Sequence, residues 1–202
     1  LSRGLGDVYK RQTVELSNLQ RQILHKESRL GQNKAVSAAK SLHGLNAQVH
    51  VQTYSQFMDE AHLRQVLPDY DVVIDATDQL ENKFLINDVC VSAEKPFVHG
   101  GITGFSGQVM TYVPEKGPCY RCIFGEVPED NAPAPIPVIG VTAGIIGTIQ
   151  AAEAIRYLLG IPSLLTGKLL VLDGLRMQFR TVPFPHVSEH CPLHTRKGVT
   201  DL

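Results

Sequence analysis

The chain lacks a dominant charge. Nineteen basic residues against twenty acidic ones leave a formal net charge of -1 over 202 residues, so no overall field draws it to nucleic acid or to an anionic membrane. The basic pairs Lys10-Arg11 and Arg196-Lys197 sit near opposite ends and make no patch. Cysteine is scarce as well. Cys90, Cys119, Cys122 and Cys191 are too few and too clustered for the disulfide framework of a secreted domain. With no charged-then-apolar leader to suggest export, the expected setting is reducing and cytoplasmic. An uninterrupted apolar run is also missing. The segment "VIGVTAGIIGTIQAAEAIRYLLG" (138–160) has the length of a membrane span. Gln150, Glu153 and Arg156 interrupt it at three-residue spacing, which gathers polar groups on one side of a helix, so it reads as a buried or interface helix. What remains is a hydrophobic content of 43%, ordinary for one sizeable globular core.

Periodicity organises the rest. "GQNKAVSAAKSLHGLN" (31–46) places Ala35, Ala38, Leu42 and Leu45 at helical spacing. "VHVQTY" (49–54) alternates as a half-buried strand does. A helix at about 58–67 stops before Pro68, and "DVVIDATD" (71–78) is a short apolar run ending in acids, the pattern of a strand buried on both faces. A helix over roughly 79–94 leads to "FVHGG" (97–101) and then "QVMTYV" (108–113). Alternating strands and helices imply an α/β, Rossmann-like fold with a mainly parallel sheet. The pair 168–174 and 177–183, joined by a tight turn, reads as a hairpin, so the sheet turns mixed toward the C-terminus.

"PCYRCIF" (118–124) and "EHCPLH" (189–194) each offer half a metal site. Together Cys119, Cys122, Cys191 and His194 make a complete tetrahedral zinc set with no position open to substrate, which would pin the C-terminal tail to the loop after 108–113. His186 and His190 are rival fourth ligands. A redox dithiol is disfavoured because no clear helix starts at Cys122 to lower a thiol pKa.

"TVELSNLQRQILH" (13–25) groups Asn18, Gln20, Arg21 and Gln22, and Lys34 opens the next helix, where backbone N–H groups favour an anion. Arg21 offers a fork to phosphate and Lys34 a point charge, the makings of a triphosphate clamp. Asp78 lies just past the carboxyl end of a strand, where open α/β sheets bind ligands, and a carboxylate there suits Mg²⁺ beside phosphates. Asp75, three residues earlier, reads as a structural acid that caps or pairs inside the fold.

In order, "VELSNLQRQILH", "GQNKAVSA", "DVVIDATDQLENKFLIND", "CYRC", "GVTAGIIGTIQAAEAIRYLLG" and "CPLH" resemble the successive signatures of the HesA/MoeB/ThiF family of ubiquitin-activating-type adenylating enzymes, from about residue 13 to 195. The resemblance implies ATP-dependent adenylation of the C-terminal glycine of a ubiquitin-like sulfur-carrier protein ending in Gly-Gly, with release of pyrophosphate. It implies that Asn18, Arg21 and Lys34 contact the phosphates, that Asp78 binds magnesium, and that the quartet holds structural zinc with His194 where a fourth cysteine is usual. A sulfurtransferase partner is implied too, and a homodimer whose interface uses the long helix, with its small-residue rows Gly140, Gly144, Thr148 and Ala143, Gly147, Ala151.

Departures from that pattern matter. The family's first strand and glycine-rich ATP turn have no counterpart in "LSRGLGDVYKRQ" (1–12), and Lys10 and Gln12 stand where its Asp-x-Asp pair falls. Residues 1–12 therefore read as a foreign or misassembled leader on a single adenylating domain, 13–202, with ATP expected to bind this chain weakly or not at all. A non-catalytic homologue that docks a ubiquitin-like tail or a sulfurtransferase is the competing reading; a nicotinamide oxidoreductase lacks any glycine fingerprint. The segment 125–140 contains no cysteine, so no enzyme-bound thioester is expected, and Cys90 reads as a small buried hydrophobe.

Overall fold

A computed structural model describes residues 13–56, 58–127 and 137–194. The leader reading of 1–12 and most of the Pro-rich loop fall outside the described residues. The chain divides into two compact units, 1–59 and 60–202.

In the first unit, α1 (Lys34–Leu45) forms where helical spacing places it. Asn33 caps its start, its side-chain oxygen accepting from the amides of Ala35 at 3.0 Å and Val36 at 3.2 Å. Residues before the helix are tied to it by side chains: Arg29 donates to Ser37 O and Ser41 Oγ, both at 2.7 Å, and Ser41 Oγ donates to Leu24 O at 2.6 Å. The strand expected at 49–54 does not form. Val49, Val51 and Thr53 are half-buried between exposed His50 and Gln52, so the alternation reports burial. A strand also needs a ladder partner, and the first unit's one β-bridge among the described residues joins Thr13 and Asn33 instead.

The second unit holds the sheet. Its elements are α2 (Glu60–Val66), β1 (Val73–Asp75), α3 (Leu80–Ser92), β2 (Phe97–Thr103), β3 (Ser106–Tyr112), α4 (Tyr120–Phe124), α5 (Gly140–Leu158), β4 (Lys168–Asp173) and β5 (Gln178–Pro183). The strands lie in order β1-β2-β3-β4-β5. The sheet is mixed, as expected of its C-terminal part, but among the described residues its parallel share is one pair, β1 with β2. The other three pairings are antiparallel. Tight turns explain this: two residues separate β2 from β3 and four separate β4 from β5, too few for the crossover that parallel strands require.

Strand alternation gives β2 two faces. Phe97 and His99 point to the side of α3 and α4, where Phe97 meets Tyr112 and His99 meets Tyr120. Val98 points to α5 and packs with Val109, Ile146, Ala154 and Leu172. α5 is amphipathic in an unexpected sense, because its polar side is the buried one. Gln150 donates to Asp75 O at 2.7 Å and Val98 O at 3.1 Å, and Glu153 accepts from Thr111 Oγ1 and Leu165 N, both at 2.7 Å. A Cβ at Gly100 would overlap the Gln150 amide, so glycine admits that bridge. Val141, Ile155 and Leu159 on the other side are 72%, 52% and 69% exposed. Gly144, Gly147, Thr148 and Ala151 share that exposure. Among the described residues no helix is long and apolar enough to cross a membrane.

The glycines separate tight positions from open ones. A Cβ at Gly174 would sit 2.5 Å from the Phe105 carbonyl oxygen that the Gly174 amide bonds. Gly174→Ala is expected to cost about 2 kcal/mol by overpacking, lowering Tm by roughly 4–8 °C. Gly44→Ala, with open space around it in α1, is expected to raise stability by about 0.5–1 kcal/mol. Differential scanning calorimetry of the two variants reads both signs.

Candidate functional site

Three thiols and one imidazole converge in the second unit. α4 begins at Tyr120 with Cys119 at its N-cap and Cys122 in its first turn, so a short helix does start here, contrary to the sequence reading. α3 seats it. Asn87 accepts from the Tyr120 amide at 2.8 Å, and Asp88 takes both forks of Arg121 at 2.6 and 2.7 Å, while the guanidinium lies 4.7 Å from the Phe84 ring centroid. From the C-terminal side, a turn closed by the His194 amide on Cys191 O at 3.1 Å carries the second pair. The ligand atoms of Cys119, Cys122, Cys191 and His194 all lie within 4.8 Å of one another and can hold a metal ion. His186 and His190, the rival ligands, are not in this group.

The donor set fits that role. His194 Nε2 is buried without a hydrogen-bond partner, a cost of about 1–3 kcal/mol that a metal bond would remove. The Cys119 sulfur lies 3.7 Å from both Cys122 and Cys191 sulfurs. Its hydrogen bond draws the Cys122 thiol down to about 5, while the Cys119 pKa rises through the same bond and through burial, and burial raises Cys191. Cys90 takes no part: it is 1% exposed, and burial pushes its thiol up to about 12.

A second cluster surrounds Asp75. The register of β1 and β2 sets Asp75 opposite His99, and their side chains bond at 2.8 Å between Oδ2 and Nδ1. Lys83 of α3 donates to the same Oδ2 at 3.2 Å and to Gly100 O at 2.8 Å. Oδ1 accepts from the Thr77 amide at 3.0 Å and the Thr77 hydroxyl at 2.7 Å. Asp75, Lys83 and His99 are all buried. Burial alone would raise the Asp75 pKa, but the Lys83 ammonium and the His99 bond outweigh it and hold the carboxyl below the usual range. Burial, with Lys83 nearby, keeps His99 below its ordinary value despite the Asp75 bond. The sequence reading took Asp75 as structural and missed both partners. A lysine inside the apolar run of α3 and a histidine inside an apolar strand were the available signals.

The other expected site residues divide between the units. In the first, Asn18 is 6% exposed and its side chain accepts from the Glu15 amide at 3.1 Å, closing its own turn. Arg21 is half-buried and donates to Ser17 O at 3.2 Å. Lys34 is the first residue of α1. The anion site expected there is narrower than the sequence suggests, because Asn33 already occupies the Ala35 and Val36 amides. In the second unit, Asp78 is exposed in the connector between β1 and α3, at the carboxyl end of a parallel strand.

An α/β domain whose sheet turns antiparallel, with ionic groups at a strand's carboxyl end and a four-ligand cluster joining a short helix to the tail, defines the class. Residues 7–193 match the ThiF family, and the chain belongs to it. It is 42% identical over 195 residues to the SAMP-activating enzyme E1 of Haloferax volcanii, covering 94% of this chain and 70% of that protein. It is 38% identical over 191 residues to the adenylyltransferase and sulfurtransferase MOCS3 of Drosophila persimilis, covering 90% of this chain but 42% of that protein. The match to MOCS3 of Dictyostelium discoideum is 40% over 174 residues, 84% of this chain and 41% of that one. The chain thus spans about two fifths of the MOCS3 relatives. The crystal structure of E. coli MccB with ATP shares the fold at a TM-score of 0.78 and 22% identity, over 91% of this chain and 57% of that one.

The buried histidine and aspartate set an acid limit on stability. Below about pH 6.5 the unfolded chain protonates His99 while the fold resists, so stability falls as pH drops, by up to ~1.4 kcal/mol per unit. His25, also lowered by burial and by Lys34 and Arg29, acts in the same direction. Asp75 contributes above the unfolded carboxylate value of about 3.9, and that share is lost on further acidification. Urea titrations between pH 8 and 4 are expected to show this decline, and His99→Gln to flatten it more than His25→Gln does.

Proposed function

We propose that this chain is the adenylating domain of an enzyme acting on a ubiquitin-like sulfur carrier. Membership of the ThiF family, together with retention of Arg21, Lys34 and Asp78, carries this reading. A carboxylate is a poor acyl donor in water. An oxygen of the carrier's terminal glycine attacks the α-phosphorus of ATP, the bond from that phosphorus to the bridging oxygen breaks, and pyrophosphate leaves with the electron pair. The product is a mixed anhydride open to a sulfur or nitrogen nucleophile. Such transfers ask the protein for positioning and charge neutralisation. Asn18, Arg21 and Lys34 would contact the phosphates, and Asp78 would hold Mg²⁺, which neutralises phosphate charge when bound. With Cys90 sealed in the core, sulfur would come from another protein and no thioester would form on this chain.

The exposed apolar side of α5, with its small residues, supports a homodimer through that helix. The relative names support a carrier substrate, a SAMP-type modifier in one case, and a sulfurtransferase activity in the other.

Carrier-dependent exchange of labelled pyrophosphate into ATP tests the reaction. An extended form, the domain within its longer protein, is expected to exchange. Lys34→Ala in the extended form is expected to lose about a hundredfold. No exchange by the extended form with any Gly-Gly-ended carrier would defeat the reading in favour of a non-catalytic docking module.

Zinc is our choice of metal for the quartet. Thiolates at Zn–S distances near 2.3 Å form tetrahedral edges of about 3.8 Å, and two of the observed edges are 3.7 Å. Elemental analysis is expected to find one zinc per chain. Cys191→Ser should lose it and lower Tm by roughly 6–12 °C, from a loss of about 3 kcal/mol.

A further inference from the structure

Asp75 is fixed at three of its atoms by three elements and the connector that follows it. Its Oδ2 receives Lys83 from α3 and His99 from β2, its Oδ1 takes both donors of Thr77, and its carbonyl accepts from Gln150 of α5. Burying a charge in this way is a poor means of stabilising a strand end, since well-packed apolar residues of similar volume often do better. Such a cluster does give direction. With Oδ2 saturated by Lys83 and His99, the carboxylate cannot rotate, and Oδ1 is presented to Thr77 alone.

Thr77 is the middle of the connector Ala76-Thr77-Asp78, whose other two side chains are exposed. Among the described residues, no side-chain bond of this kind holds the connector from its far end. Gln79, the N-cap of α3, makes no side-chain cap. The path of the connector is therefore set from the β1 side, through Thr77.

We propose that Lys83, acting through Asp75 and Thr77, is a positioning residue for Asp78. It touches no substrate. It holds the carboxylate whose other oxygen fixes the turn that carries Asp78, and so determines how that acid meets a magnesium-bound nucleotide. The inference rests on the adenylation reading for what Asp78 does, and on geometry alone for how Asp78 is held.

The test uses Lys83→Met, Lys83→Arg and Thr77→Val, the last keeping the buried pair intact so that the fold survives. On the 202-residue chain, amide hydrogen exchange reads the connector directly. Lys83→Met and Thr77→Val are expected to speed exchange at 77–79 about tenfold, as loss of a bond to a charged acceptor does. Amides of β2 and β3 should keep wild-type rates, and Lys83→Arg, which retains the cation, should restore protection. Unchanged connector rates in Thr77→Val overturn the proposal, and so does slow exchange in a folded Lys83→Met. In the extended, exchange-competent form, Thr77→Val should raise the half-saturating Mg²⁺ about tenfold and leave that for carrier unchanged; movement of both together, or of neither, also overturns it. Absence of pyrophosphate exchange in the wild type would defeat the adenylation reading alone, with the amide rates still deciding how the connector is held.

Discussion

One buried carboxylate organises the second unit. Asp75 ends the strand that begins the sheet, and helix α3, strand β2 and helix α5 each send it a donor. The arrangement requires Gly100 for space, the β1–β2 register to bring His99 opposite, and α3 to start where its fourth residue, Lys83, reaches back beneath the strand. Moving the register by one residue would send every β2 side chain to the other face, and His99 would point at α5. The ionic contact and the apolar core thus specify the same pairing from opposite sides of β2.

The two helical layers solve different problems. α3 is buried along much of its length and seats α4, with Asn87 and Asp88 holding Tyr120 and Arg121. α5 spends its polar residues inward, where Gln150 bridges β1 and β2 and Glu153 joins Thr111 to Leu165. Each satisfies backbone or hydroxyl groups that an apolar helix would leave unpaired. Its outward side is left apolar, the reverse of an isolated surface helix.

Much of this was legible in the sequence. Helical spacing located α1, α2, α3 and α5, and the turn between residues 174 and 177 located the final hairpin. The cluster of Cys119, Cys122, Cys191 and His194 followed from two short spacings, because chemistry that demands four donors leaves a countable trace. Three things were not legible. The segment 49–54 carries a strand's alternation without a partner among the described residues, and partners are not local. α4 is five residues long, below the length at which periodicity signals anything. The Lys83–Asp75–His99 cluster joins residues 8 and 24 positions apart, and no residue in it is unusual alone. Polarity along α5 was read correctly as one-sided, but which side faces the sheet depends on what the sheet offers.

A metal ion in the quartet would also change the topology of the chain. Cys119 and Cys191 are 72 residues apart in sequence, so an ion held by both turns α4, α5 and the β4–β5 hairpin into the interior of a closed ring. Ring closure costs an unlinked polymer of that length about 4 kcal/mol of configurational entropy. An apo chain must meet that cost by packing alone, whereas in the metallated one the knot at the base of the ring has already fixed where the tail begins.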